Sequence, residues 1–135
     1  MDKIEWSDDF SVGVKLFDEQ HKRLISIVNK LIDASNATVD SEIISEILTE
    51  MTDYALTHFK DEEKYMKEYD YPEYEAHKKQ HKEFLKKTIA FCDATIYKDR
   101  TVPQKILIYL TDWWVNHIQK VDKQYGTFFN QEGVY

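Results

Sequence analysis

The stretch HFKDEEKYMKEYDYPEYEAHKKQH, residues 58 to 81, holds two helical patterns and the break between them. Before the break, His58 and Glu62 stand four residues apart; after it, His77 and His81 do the same. That spacing puts each pair on one face of a helix, one turn apart. Between them, EYDYPEY interrupts the pattern, and Pro72 suits the first turn of a new helix, where a missing N–H costs little. The stretch therefore predicts two helices joined by a short turn, each with polar donors on its inward face.

Apolar residues extend both faces. The upstream stripe runs Ile44, Ile47, Leu48, Met51, Ala55, His58, Glu62 and Met66; the downstream one runs Tyr74, His77, His81, Phe84, Thr88 and Phe91. Two more stripes flank them: Phe17, His21, Leu24, Ile25, Val28, Leu31, Ile32, and Ile106, Leu110, Trp113, Trp114, His117, Val121. The acidic pair Asp18-Glu19 suits the start of the first helix, and Asp40 or Ser41 can cap the second. Pro103 opens the fourth and Gly126 offers it a stop. The connections ASNATVD and KDRTVPQ are short and polar. Four such helices imply an all-α, up-down-up-down antiparallel four-helix bundle. Residues 1–16 do not read as helix. The alternation of Phe10, Val12 and Val14 predicts an extended N-terminal arm, with Trp6 as its anchor. The expected organisation is one domain over 1–135: arm 1–16, bundle 17–126, short aromatic tail 127–135.

Composition narrows the function. The 135 residues carry a formal net charge of -7, which disfavours nucleic acid as a partner. The lysine-rich run HKKQHKEFLKK alternates with apolar residues and reads as a solvated helix face. No apolar run is long enough for a membrane span, and MDKIEWSDDF has no signal core. The one cysteine, Cys92, has no partner for an internal disulfide and reads as a small packed side chain. A cytoplasmic location is expected.

All five histidines fall on the inward stripes, at least one per helix. In an antiparallel bundle, the start of helix one, the end of helix two, the start of helix three and the late part of helix four share one level. His21, His58, His77, His81 and His117 should meet there, with Glu62 among them. Burying a carboxylate unpaired costs several kcal/mol, so this convergence calls for a cation. Glu63 lies at i+5 from His58, about 140° round an ideal helix, and points away. Asp122 has the same awkward relation to His117, while Val121 holds the favourable i+4 position. Either the fourth helix absorbs one residue there, as in a π-bulge, or Asp122 reaches another part of the site; a distortion between His117 and Asp122 is expected.

Five imidazoles and two carboxylates crowd a single ion. They suit two metals bridged by the carboxylates, three imidazoles on one and two on the other, with an oxo or hydroxo oxygen shared and one position open. Imidazole with carboxylate suits iron, and also zinc, copper or manganese; six-coordination with carboxylate bridges fits iron better than tetrahedral zinc. Compared with di-iron bundles built on four Glu and two His, the lower negative charge favours reversible oxygen binding over substrate oxidation.

The segments WSDDFSVGV…DEQH, HFKDEE, HKKQH and WWVNHIQKVD resemble those of the hemerythrin family, in its prokaryotic single-domain form, across essentially the whole chain. The resemblance implies that His77, His81 and His117 bind one iron, that His21 and His58 bind the other, and that Glu62 and Asp122 bridge them. It implies dioxygen binding end-on at the open iron as hydroperoxide, its proton drawn from the bridging hydroxide, with azide and other small anions as analogues. It places the oxygen pocket at Leu24, Phe59, Trp113, Trp114 and Ile118. Trp114 departs from the family, which usually has an aliphatic residue there. An indole at that position swings outward, narrows the pocket, or offers its N–H to the ligand. The implied role is an oxygen carrier, store or delivery protein rather than an enzyme. The alternatives are an oxygen or redox sensor, a di-iron enzyme acting on peroxide or nitric oxide, and an iron store.

Overall fold

The structure is a computed structural model and describes residues 2–35, 41–97 and 99–135. Its helices are α1 (Lys15–Ser35), α2 (Ser41–Glu68), α3 (Tyr74–Ile96) and α4 (Val102–Trp113). From α4 the chain passes through π-helical turns over Trp114–Asp122 into α5 (Lys123–Gln131). α1 packs on α2, α2 on α3, α3 on α4, and α4 back on α1, closing a four-helix bundle. No strand occurs among the described residues.

The expected stripes form the core. Leu24, Ile27, Val28, Leu31 and Ile32 meet Ile44, Ile47, Met51, Tyr54 and Ala55, and Phe84, Phe91, Ile106 and Leu110 close the far side. Burying side chains of this size stabilises by about 1.5–3 kcal/mol each. A second cluster, Val12, Val14, Phe17, Met66, Tyr71, Tyr125 and Phe129, caps the other end. The histidines lie between the two.

Four local expectations are corrected. α1 begins at Lys15, three residues before Asp18, whose carboxylate instead ties down the arm: it accepts from Val12 N at 2.8 Å and Ser11 Oγ at 2.5 Å. The arm is not extended throughout, because Asp8–Phe10 form a 3-10 turn capped by Ser7. Pro72 precedes α3 instead of sitting in its first turn. Gly126 does not stop the fourth helix: α5 runs through it to Gln131, so the supposed tail is largely helical. Gly126 is there for another reason. The arm crosses α5 at this residue, and a Cβ would stand 2.9 Å from the carbonyl carbon of Val12. The capping of α2 by Asp40 or Ser41 lies outside the described side chains. Pro103 sits in the first turn of α4. Trp6 is half-buried, edge-on to Phe10 at 6.0 Å with Lys22 over its ring. Cys92 is partly buried against the core.

Candidate metal centre

α2 presents His58 and Glu62 one turn apart, and α3 presents His77 and His81 likewise. α1 supplies His21, and the π-helical segment supplies His117 and Asp122. All seven are at most 3 % exposed. The π turns decide the last of these. Hydrogen bonding to i+5 brings Asp122 under His117 and leaves Val121, the i+4 residue, half-buried and off the inward face.

The donor atoms form two groups, each within 4.8 Å of one another: Glu62, His77, His81 and His117, and His21, His58, Glu62 and Asp122. Each carboxylate divides its oxygens between them. Glu62 Oε1 lies 3.1 Å from His81 Nε2 and 3.5 Å from His77 Nε2, while Oε2 lies 3.0 Å from His58 Nε2 and 3.7 Å from His21 Nε2. Asp122 Oδ1 lies 2.9 Å from His77 Nε2 and 3.0 Å from His117 Nε2, while Oδ2 faces His21 Nε2 at 3.1 Å. The Nε2 atoms of His21 and His58 are 3.1 Å apart.

Most of these approaches are not hydrogen bonds. Nε2 of His77, His81 and His117, Oε1 of Glu62 and both oxygens of Asp122 are buried and have no partner in hydrogen-bonding geometry. Orphaned polar atoms of this kind are costly. Ligands held about 2.1 Å from an ion at right angles stand roughly 3 Å apart, the spacing seen here. The donor set fits metal ions.

Electrostatics points the same way. Burial alone would raise the Glu62 carboxyl, but the charge of His58 and contacts from His21, His58 and His77 hold it well below the usual range. Burial and the Glu62 charge would raise Asp122, yet His117 and His21 hold it far below its ordinary value. Burial works against a charge on His21 and His77, but Asp122 and Glu62 overcome it and push them up to about 9 and about 10. Burial lowers His58 and His117. Two carboxylates thus stay ionised in an apolar interior, and protons and cations compete to neutralise them.

An outer ring of side chains, absent from the sequence reading, orients the imidazoles. Gln20 Oε1 meets His58 Nδ1 at 2.5 Å, Glu63 Oε2 meets His81 Nδ1 at 3.0 Å, and Gln80 Oε1 meets His117 Nδ1 at 2.7 Å. The Gln20 amide donates to Asp61 at 2.7 Å, which fixes its oxygen toward His58. An acceptor at Nδ1 keeps the proton there and leaves Nε2 bare toward the centre. Glu63 belongs to neither donor group, as its spacing predicts, and still touches the site through His81. Tyr125, buried behind the cluster, donates its hydroxyl to Glu62 Oε2. Gln20 and Gln80 each directly precede a histidine, and Tyr125 stands at i+3 from Asp122; those are the signals a sequence reading had available.

The expected pocket residues Leu24, Phe59, Trp113, Trp114 and Ile118 are all buried in one cluster. Phe59 stacks on His81 at 3.9 Å and Trp113 on His117 at 3.9 Å. Trp114 sets its ring edge against Phe10 of the arm, centroids 5.2 Å apart.

A family model described as "Hemerythrin HHE cation binding domain" matches residues 12–129. The chain belongs to the hemerythrin family. It is 36% identical to the bacteriohemerythrin of Methylococcus capsulatus, over 87% of this chain and 89% of that protein. It is 32% identical to the bacteriohemerythrin of Pseudomonas aeruginosa, over 93% and 80%. Among solved structures, wild-type hemerythrin superposes with a TM-score of 0.82 at 33% identity, covering 92% of this chain and 95% of that one. A hemerythrin variant with one leucine changed to tyrosine superposes at 0.84, covering 94% and 97%. The hemerythrin fold thus brings the histidines and both carboxylates to one level, as a cation-binding domain requires. No helix among the described residues is long and apolar enough to cross a membrane.

Proposed function

We propose that this hemerythrin holds two iron ions per chain and binds dioxygen reversibly, as a carrier, store or delivery protein and not as an enzyme. The carrying observation is the division of each carboxylate between two imidazole groups. His77, His81 and His117 would hold one ion and His21 and His58 the other, with Glu62 and Asp122 bridging them together with an oxo or hydroxo oxygen. That assignment leaves one ion with two imidazoles where the other has three, and so a position for an outside ligand. A pair of ferrous ions supplies two electrons, enough to take dioxygen to the peroxide level and to release it again.

The protein's own residues do the rest. Gln20, Glu63 and Gln80 hold three imidazoles in one tautomer. Tyr125 donates to Glu62 and keeps that carboxylate in place. Leu24, Phe59, Trp113 and Ile118 line the approach with apolar groups, which excludes water that would otherwise deliver protons, while Trp114 turns its ring edge to Phe10 of the arm. Small anions such as azide should compete for the same position. The free Cys92 fits a reducing, cytoplasmic setting.

The test is reversibility. The purified protein is reduced without oxygen, exposed to it, then flushed, while the iron charge-transfer absorption is followed. A band that appears and disappears over repeated cycles is the expected result. Immediate irreversible oxidation, or turnover of peroxide or nitric oxide, contradicts a carrier and favours a sensor or an enzyme.

A further inference from the structure

Tyr54 stands one turn before His58 on α2 and stacks on its imidazole, centroids 5.0 Å apart and planes 19° apart. It is 1 % exposed, yet its hydroxyl has no hydrogen-bond partner. Among the described residues it is the one buried hydroxyl in that condition. Burying such a group unpaired is unfavourable, and a phenylalanine would fill the same space without the burden. The contrast with Tyr125 is informative: that buried hydroxyl is spent on Glu62.

The surroundings of Tyr54 are apolar. Its ring meets Phe59 at 6.0 Å and Phe84 at 6.4 Å, and it belongs to the same cluster as Leu24, Trp113, Trp114 and Ile118. His58, on which it stacks, belongs to the donor group with two imidazoles. Of the other orphaned nitrogens away from the centre, Nδ1 of His21 and of His77 belong to the candidate ligands themselves, and Trp113 Nε1 belongs to a ring stacked on His117, in the group with three. A neutral phenol held in apolar surroundings is a strong donor to a charged acceptor and a poor neighbour for anything that cannot accept.

We propose that Tyr54 is a specificity-determining residue whose hydroxyl donates a hydrogen bond to a small anion held beside His21 and His58, selecting anionic ligands over neutral ones. The inference rests on the di-iron reading given above. It gives the two-imidazole side of the pocket a hydroxyl donor that is not itself a candidate ligand.

The experiment compares iron-loaded wild type with Tyr54→Phe, using azide as the anionic probe and nitric oxide as the neutral one. Loss of a neutral donor to a charged ligand should weaken azide by about 10- to 100-fold, with nitric oxide binding unchanged to within twofold. The antisymmetric stretch of bound azide should shift between H2O and D2O in wild type and not in the variant. The thermal midpoint of the ligand-free, iron-loaded variant should equal or exceed that of wild type. Tyr54→Met, of similar bulk and without a donor, should repeat the azide loss if the phenylalanine variant loads iron poorly. Azide affinities within twofold of each other, a D2O shift that survives in the variant, or a lowered midpoint as the sole change would overturn the role of the hydroxyl. If wild type cycles oxygen while both proteins bind azide alike, this inference alone fails. If wild type binds neither oxygen nor azide, the di-iron reading fails and takes this one with it.

Discussion

Replacing Gly126 with alanine should destabilise the protein, against the direction that helix propensity alone dictates. Gly126 lies inside α5, where Gly→Ala gains about 1 kcal/mol in a free helix. Here the added Cβ would stand 2.9 Å from the carbonyl carbon of Val12, and deeper still within reach of its oxygen. Carbon atoms in contact sit about 3.5–4.0 Å apart. Both obstructing atoms are backbone, so no rotamer relieves the clash and the arm must lift. Lifting it re-exposes Val12 and Val14, now 4 % and 1 % accessible. At about 1.5–3 kcal/mol per buried side chain, the loss is roughly 3–6 kcal/mol. Subtracting the helix gain leaves about 2–5 kcal/mol, a large share of the 5–15 kcal/mol typical of a domain. Urea denaturation followed by far-UV circular dichroism measures it. The lift should also register in tryptophan fluorescence, because Phe10 of the arm packs on Trp114. A variant as stable as wild type, or more stable, would refute the close crossing of the arm over α5.

Three further outcomes are expected. Glu62→Gln keeps the shape but offers one acceptor oxygen in place of two, so iron per chain, counted by mass spectrometry, should fall from two to one or none; full loading would contradict bridging by Glu62. Gln80→Leu removes the acceptor on His117 Nδ1 and should weaken metal binding about 10- to 100-fold in a chelator competition, and an unchanged affinity would deny the glutamine any orienting role. Trp114→Leu opens space beside Phe10 and should cost about 1–3 kcal/mol of stability. Its azide association rate should stay within twofold of wild type; a larger change would put the indole in the ligand's path.

Much of the site could be read from spacing because helix periodicity is a local property. His58 with Glu62 and His77 with His81 announce their shared faces within five residues, and the antiparallel order brings those faces to one level. The outer ring could not be read that way. Gln20, Glu63 and Gln80 are half-buried residues on helix flanks, and each meets a histidine on a different helix. Nothing in the local pattern distinguishes them from ordinary surface residues. Gly126 misled for the same reason. A glycine at that place reads as a helix stop, and only the crossing of the arm, more than a hundred residues earlier in the chain, explains it.

The fourth helix shows how one inserted residue organises the rest of the chain. In an unbroken α-helix, Asp122, Tyr125 and Phe129 stand about 140°, 80° and 120° from the face of His117, at 100° per residue. Absorbing one residue turns their separations into four, seven and eleven, which lie about 40°, 20° and 20° from that face. All three are fully buried, while Val121, which the unbroken helix would point inward, is half-exposed. The π-helical segment therefore does more than deliver Asp122 to the centre. It resets the phase of everything after it, so that Tyr125 reaches Glu62 and Phe129 packs on Phe17, centroids 5.9 Å apart. The aromatic residues after Gly126 look like an unstructured tail only when the phase of the earlier helix is carried through unchanged. Shifted by one residue, they continue its inward face. The weaker hydrogen-bond geometry of the π turns is offset by the contacts this register makes possible, a carboxylate set between two imidazole groups and a sealed lower core. An insertion in this helix is legible in sequence wherever a metal-binding residue and the aromatic residues after it all miss the stripe by the same single step.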